Sequence, residues 1–223
     1  KLNKPVDRTE WDMTPQTYNA YYNPSNNEIV MPAGIFVIPG FRDEDIDDAV
    51  IYGYAAASTI GHEITHGFDD EGRQFDDKGN LQNWWQDEDE KKFNEKAQKY
   101  IDQFNNYVVL DSMHINGKAT LGENIADLGG LVIALDAFKK TTQYKEGKLI
   151  DGLTPLQRYF LGYALGWLGH QRDEELATRV LTDVHSPAFL RVNGPFSNID
   201  DFFEAFGIKP GDKMFRPDSE RVK

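Results

Sequence analysis

Apolar residues in the first forty positions fall in short runs broken by proline. Pro5, Pro15, Pro24, Pro32 and Pro39 forbid a long helix there, and residues 28–31 and 35–38 read as short strands. The pattern then changes to helical. Residues 43–68 read as one long helix, opened by Asp43, Glu44, Asp45, Asp47 and Asp48, where the helix dipole favours acids. Its later part is nearly all small and apolar, as a buried helix requires. Residues 69–80 carry two glycines and several aspartates and read as a turn-rich loop.

Residues 88–107 form a charged amphipathic helix, with Phe93, Ala97, Tyr100, Ile101 and Phe104 at helical spacing. A short extended piece spans 108–114 and ends in the Asn116-Gly117 turn. Residues 121–141 and 155–170 are two further helices rich in core residues, separated by a linker-like stretch at 145–154. Short helices are expected at 174–181 and 200–206. There is no internal repeat. The pattern predicts a mainly α chain with a small β-sheet, an α+β fold, in one unit spanning residues 1–223.

Composition changes this picture little. Among 223 residues, 37 acids against 24 bases give a net charge of −13. No basic stripe is visible for nucleic acid to bind. The apolar stretches at 49–61 and 159–169 are too short and too interrupted to span a bilayer. Cysteine is absent, so neither a disulfide nor a thiolate metal site is possible. Any metal must rest on histidine and carboxylate. The chain opens on Lys1 without a signal peptide, and we expect it to be a fragment or processed form.

The candidate chemistry is metal-based. His62 and His66 lie four apart in a predicted helix, so both imidazoles point from one face at one ion. Glu63 sits beside that face, where a general base would take a proton from water. A catalytic zinc takes three protein ligands and keeps one position open. In the extended pattern with a third histidine, that residue would stand at position 72, which is Gly72. Glu123 is the better third ligand, because it opens the next apolar helix with Asp127 one turn on. Asp127 can accept the second hydrogen bond of a ligand imidazole. An acid opening a helix is also what the dipole alone favours, but that does not account for the pair ahead of Gly129-Gly130.

With these residues placed, the sequence resembles the neprilysin and endothelin-converting-enzyme family of zinc metallopeptidases. Four segments carry the resemblance: Asn19-Ala20-Tyr21-Tyr22, the run from Gly61 to Asp70, the run from Gly122 to Gly130, and Val192-Asn193-Gly194-Pro195. The resemblance implies a thermolysin-like catalytic domain with one zinc ion on His62, His66 and Glu123. Glu63 would be the base and Asp127 the partner of His62. It further implies that Asn19 and Ala20 hydrogen-bond the substrate backbone as an edge strand. His185 would stabilise the oxyanion with Asp183 orienting it, Arg191 would bond a substrate carbonyl, and Trp167 would line a primed-side pocket for large apolar side chains. His114 and His170 match no functional position and read as structural.

The departures matter too. Family members are about three times this long, so the chain would be a C-terminal catalytic portion lacking a large helical N-terminal region. The stretch 213–216 lacks the cysteine of animal members, which points to a bacterial member, and the family resemblance favours an extracytoplasmic location. The chain also stops short of a terminal tryptophan.

The implied reaction is hydrolysis of internal peptide bonds. Two alternatives are an aminopeptidase of the same zinc class, for which the Gly-x-Met-Glu-Asn segment is missing, and a catalytically incompetent fragment that only binds peptides.

Overall fold

The computed structural model describes residues 7–38 and 40–223, so Pro5 and Pro39 lie outside the described residues. Strands β1 (Tyr21–Asn23) and β2 (Glu28–Val30) form an antiparallel hairpin, with Tyr21 opposite Val30. The turn between them places Asn27 at φ 46°, a left-handed conformation that asparagine tolerates. Among the described residues β1 pairs only with β2, which leaves its outer edge open. The strand expected at 35–38 is absent. A 3-10 turn spans Ala33–Phe36 instead, because Gly34 N–H bonds Pro15 O at 2.9 Å and its Cα lies hard against the 16–17 backbone.

The long helix begins later than its acids suggest. Asp43–Asp45 is a separate 3-10 turn, and α1 (Asp48–Ile51) starts at an Asp47 cap. Asp47 Oδ1 accepts from Ala49 N at 2.8 Å and Val50 N at 3.3 Å, while Oδ2 takes Arg158 Nε at 3.0 Å. The aspartate that ends the extended chain therefore also anchors it to a distant helix. The rod continues from α1 through a π-helical segment (Tyr52–Gly61) into α2 (His62–His66). Such wide turns cluster at functional sites, and here one runs straight into the histidine pair.

Helix α3 (Asp87–Asn105) buries Ala97, Tyr100, Gln103 and Phe104 and opens on four acids. The extended piece at 108–114 is a hairpin of β3 (Val108–Leu110) and β4 (Met113–His114). Helix α4 (Leu121–Phe138) is buried along most of its length. The linker at 145–154 begins inside α5 (Thr142–Glu146). Helix α6 (Pro155–Leu165) opens with a capping box between Thr154 and Gln157 and stops at Gly166, five residues before the end the pattern implies. Helix α7 (Asp173–Thr182) lies on the surface. Helix α8 (Ala188–Phe196), which the pattern did not suggest, and α9 (Asp200–Phe206) complete the chain.

The rod runs between α4 and α6, and glycine sets how closely they approach. A Cβ on Gly53 would stand 2.1 Å from Tyr159 O, one on Gly61 2.8 Å from Gly130 Cα, and one on Gly130 2.3 Å from Ala57 O. Backbone lies on backbone at both contacts, and no larger residue fits. Behind this seam Phe138, Tyr159, Phe160, Phe196 and Phe202 pack ring on ring with centroids 4.9 to 5.8 Å apart, the geometry aromatic cores prefer.

Candidate active site

The α2–α4 seam brings the sequence-predicted ligands together. His62 Nε2 lies 3.1 Å from His66 Nε2 and 3.3 Å from Glu123 Oε2, and His66 Nε2 lies 3.6 Å from Glu123 Oε1. Ligands held tetrahedrally at zinc distances stand roughly 3.3 Å apart, so the three fit one ion. The other face of each ring fixes the tautomer. His62 Nδ1 faces Asp127 Oδ1 at 3.0 Å, although its N–H is not well aligned with that oxygen. His66 Nδ1 donates to Asp69 Oδ2 at 2.7 Å. With both Nδ1 atoms turned to carboxylates, both Nε2 lone pairs are aimed at one point beside Glu123, a donor set that suits a cation. His62, His66 and Glu123 are such a group by geometry.

Asp69 was not singled out from the sequence, although an acid three residues beyond His66, just past the helix end, was the available signal. Its Oδ1 also accepts from the N–H groups of Glu71 at 2.9 Å and Gly72 at 2.7 Å. Position 72 has no room for a ligand side chain, since a Cβ there would stand 1.8 Å from His66 O.

Asp127 is fully buried and receives Arg191 through both Nε (2.7 Å) and Nη2 (2.8 Å). Burial alone would raise its pKa, but the Arg191 charge and the His62 contact outweigh that and hold it at about 2. Arg191 is likewise held well above its ordinary range: burial opposes this, and Asp127 overcomes it. For metal-free His62, burial is again overcome, here by Asp127 and Glu123, and the imidazole is pushed up to about 9. Glu63, buried on the same helix, is raised by that burial. A carboxyl poised upward is what a general base needs.

His185 reaches the cluster from the loop after α7, with Nε2 3.2 Å from Glu123 Oε2. Asp183 Oδ1 meets its Nδ1 at 2.8 Å and its backbone N–H at 2.9 Å. Arg179, a residue no motif pointed to, holds the other oxygen of Asp183 through Nε at 2.9 Å and Nη2 at 2.6 Å. Arg191 stacks on Trp167, 4.1 Å from its ring centre, so the Asp127 ion pair fixes the tryptophan at the rim. A single cleft of about 540 Å³ is lined by Asn19, Ala20, Glu63, Trp167, His185 and Arg191 together with the ligand cluster. Those six residues are thus in one lining with the ligand cluster. His114 and His170 are not: His114 Nδ1 bonds Asn105 O at 2.8 Å, and His170 lines a neighbouring hollow without reaching the cluster.

The sequence profile of peptidase family M13 matches residues 19–222. An endothelin-converting enzyme homologue from Locusta migratoria is 43% identical over 217 residues, covering 96% of this chain and 29% of that protein. A neutral endopeptidase from Lactobacillus helveticus is 41% identical over 222 residues, covering 100% and 32%. In structure, the chain is similar to a Mycobacterium tuberculosis zinc metalloprotease solved with an inhibitor, at a TM-score of 0.91 and 42% identity, covering 100% of this chain and 34% of that one. The chain spans about a third of the length of these relatives.

Proposed function

Since this chain belongs to peptidase family M13, we propose that it is the C-terminal catalytic portion of a zinc-dependent endopeptidase that hydrolyses internal bonds of oligopeptides. The observation that carries this reading is the convergence of His62, His66 and Glu123 at tetrahedral spacing in the same cleft as Glu63. Zinc held there supplies Lewis-acid polarisation of a carbonyl and lowers the pKa of water.

The chain's own residues do the rest. Glu63, raised by burial, takes a proton from the attacking water and returns it to the leaving amine. His185, oriented by Asp183, donates to the carbonyl oxygen as it gains charge. Asp127 and Asp69 keep His62 and His66 in the tautomers that present Nε2. Asn19 and Ala20, at the open edge leading into β1, align the peptide by main-chain hydrogen bonds. Arg191 and Trp167 bound a primed-side pocket whose ring and aliphatic walls favour large side chains. The cysteine-free stretch 213–216 and the Lactobacillus helveticus relative support a bacterial source. Among the described residues no helix is long and apolar enough to cross a membrane.

The test is cleavage of an internally quenched peptide by the zinc-loaded protein, beside Glu63→Gln. Chelator-sensitive internal cleavage, reduced about 10²- to 10⁴-fold in the variant at unchanged zinc content, supports the proposal. Removal of free N-terminal residues alone, or binding without turnover, refutes it.

A further inference from the structure

The lining of the cleft includes two tyrosines that the reaction does not use. Tyr18, which precedes Asn19, and Tyr54, from the π-helical segment, share a hydrogen bond between their hydroxyls. Tyr54 also packs its ring on Gly166, 3.5 Å from where a Cβ would stand, beside Trp167. Both tyrosines line the cleft, as do Ser58 and Ile35.

A phenol carries one proton. Tyr18 OH donates to Val37 O at 3.2 Å, and a carbonyl can only accept. With the Tyr18 proton on Val37 O, the bond between the phenols uses the Tyr54 proton, which leaves the Tyr54 oxygen with lone pairs and nothing to donate. Ser58 is in the same condition, because its hydroxyl donates to the Tyr54 carbonyl. This part of the lining is thus acceptor-only, and it shares the cleft with the apolar side chains of Trp167 and Ile35. Burial and the Tyr18 bond both raise the Tyr54 pKa, so the phenol stays neutral.

We propose that Tyr54 is a specificity-determining residue and that its oxygen selects an aromatic side chain tipped with a hydrogen-bond donor, tyrosine over phenylalanine, next to the scissile bond. The inference rests on the endopeptidase reading and refines it: large and apolar along its length, with a donor at the tip. A pocket with a fixed polar group discriminates through the cost of leaving that group unpaired.

The experiment measures kcat/KM for quenched peptides that differ only at the residue after the scissile bond, which is Phe, Tyr or O-methyltyrosine. The zinc-loaded wild type, Tyr54→Phe and Tyr18→Phe are compared. In the wild type the Tyr peptide should be cleaved about three- to tenfold faster than the other two. Tyr54→Phe should abolish that advantage while leaving the Phe peptide within about twofold. Tyr18→Phe releases the Tyr54 proton, so the O-methyltyrosine peptide should rise toward the Tyr peptide. Equal rates for Tyr and Phe peptides in the wild type, or a Tyr preference that survives Tyr54→Phe, overturn the inference alone. No cleavage of any peptide overturns the endopeptidase reading and the inference with it.

Discussion

Replacing Gly130 by alanine tests whether the metal site depends on how closely two helices approach. Alanine is the better helix former by about 1 kcal/mol, so local propensity predicts a gain. The tertiary contact predicts the reverse. The new methyl would stand 2.3 Å from Ala57 O and 2.7 Å from His62 N, both backbone atoms. Restoring ordinary contact requires α4 to move off the rod by about 1 Å, and overpacking of this kind costs roughly 1–3 kcal/mol. For a chain of this size that lowers Tm by roughly 2–10 °C. The same shift carries Glu123 and Asp127 away from His62 and His66. Metal sites tolerate only about 0.2 Å in ligand distance, so zinc affinity should fall at least about tenfold. The measurements are a thermal melt of the metal-free protein and a zinc titration against a chromophoric chelator. Gly169→Ala is the control, because nothing lies within 4 Å of a Cβ there. A Gly130→Ala variant with wild-type Tm and zinc affinity would show that the seam does not set the site.

Three further outcomes follow from the same geometry. Asp127→Asn leaves the buried Arg191 short of a countercharge and should cost about 3–5 kcal/mol in denaturant unfolding. Because the folded pKa of Asp127 is depressed to about 2, its contribution is fully present above its ordinary pKa and is lost as pH falls from there through 2. The wild type should therefore shed about 2 kcal/mol over that acid limb, and Asp127→Asn should not. Chelating zinc should lower Tm by roughly 10 °C at a thousandfold excess of metal over Kd, reversed by zinc and not by magnesium; an unchanged melt would refute the site. His185→Gln should reduce kcat by about 10²-fold with zinc content unchanged, and a matching loss of zinc would instead make the histidine part of the metal site.

Much of the site was legible along the chain because helical geometry is local. His62 and His66 share a face wherever a helix forms, Glu63 must stand beside them, and Glu123 and Asp127 share a face for the same reason. The motifs around Asn19, His185 and Arg191 then named residues that periodicity could not join, and all of them lie around one cleft. The failures are equally physical. The apolar run at 35–38 became a 3-10 turn because its partner was the 15–17 loop, not a strand. The acids at 43–45 stayed outside the long helix because Asp47 caps it while held by Arg158. Both outcomes depend on residues remote in the chain.

Local pattern alone therefore determined a mostly helical fold, the two-histidine face with Glu63 beside it, and the shared face of Glu123 and Asp127, because short-range sterics and side-chain chemistry carry that information. Tertiary structure alone decided that Asp69 meets His66, that Arg179 steadies Asp183, that Arg191 pairs with Asp127 and stacks on Trp167, and that two phenols meet in the cleft lining. Each of these is a contact between segments whose separation along the chain says nothing about their distance in space. The distance itself was set by glycines that let backbone rest on backbone.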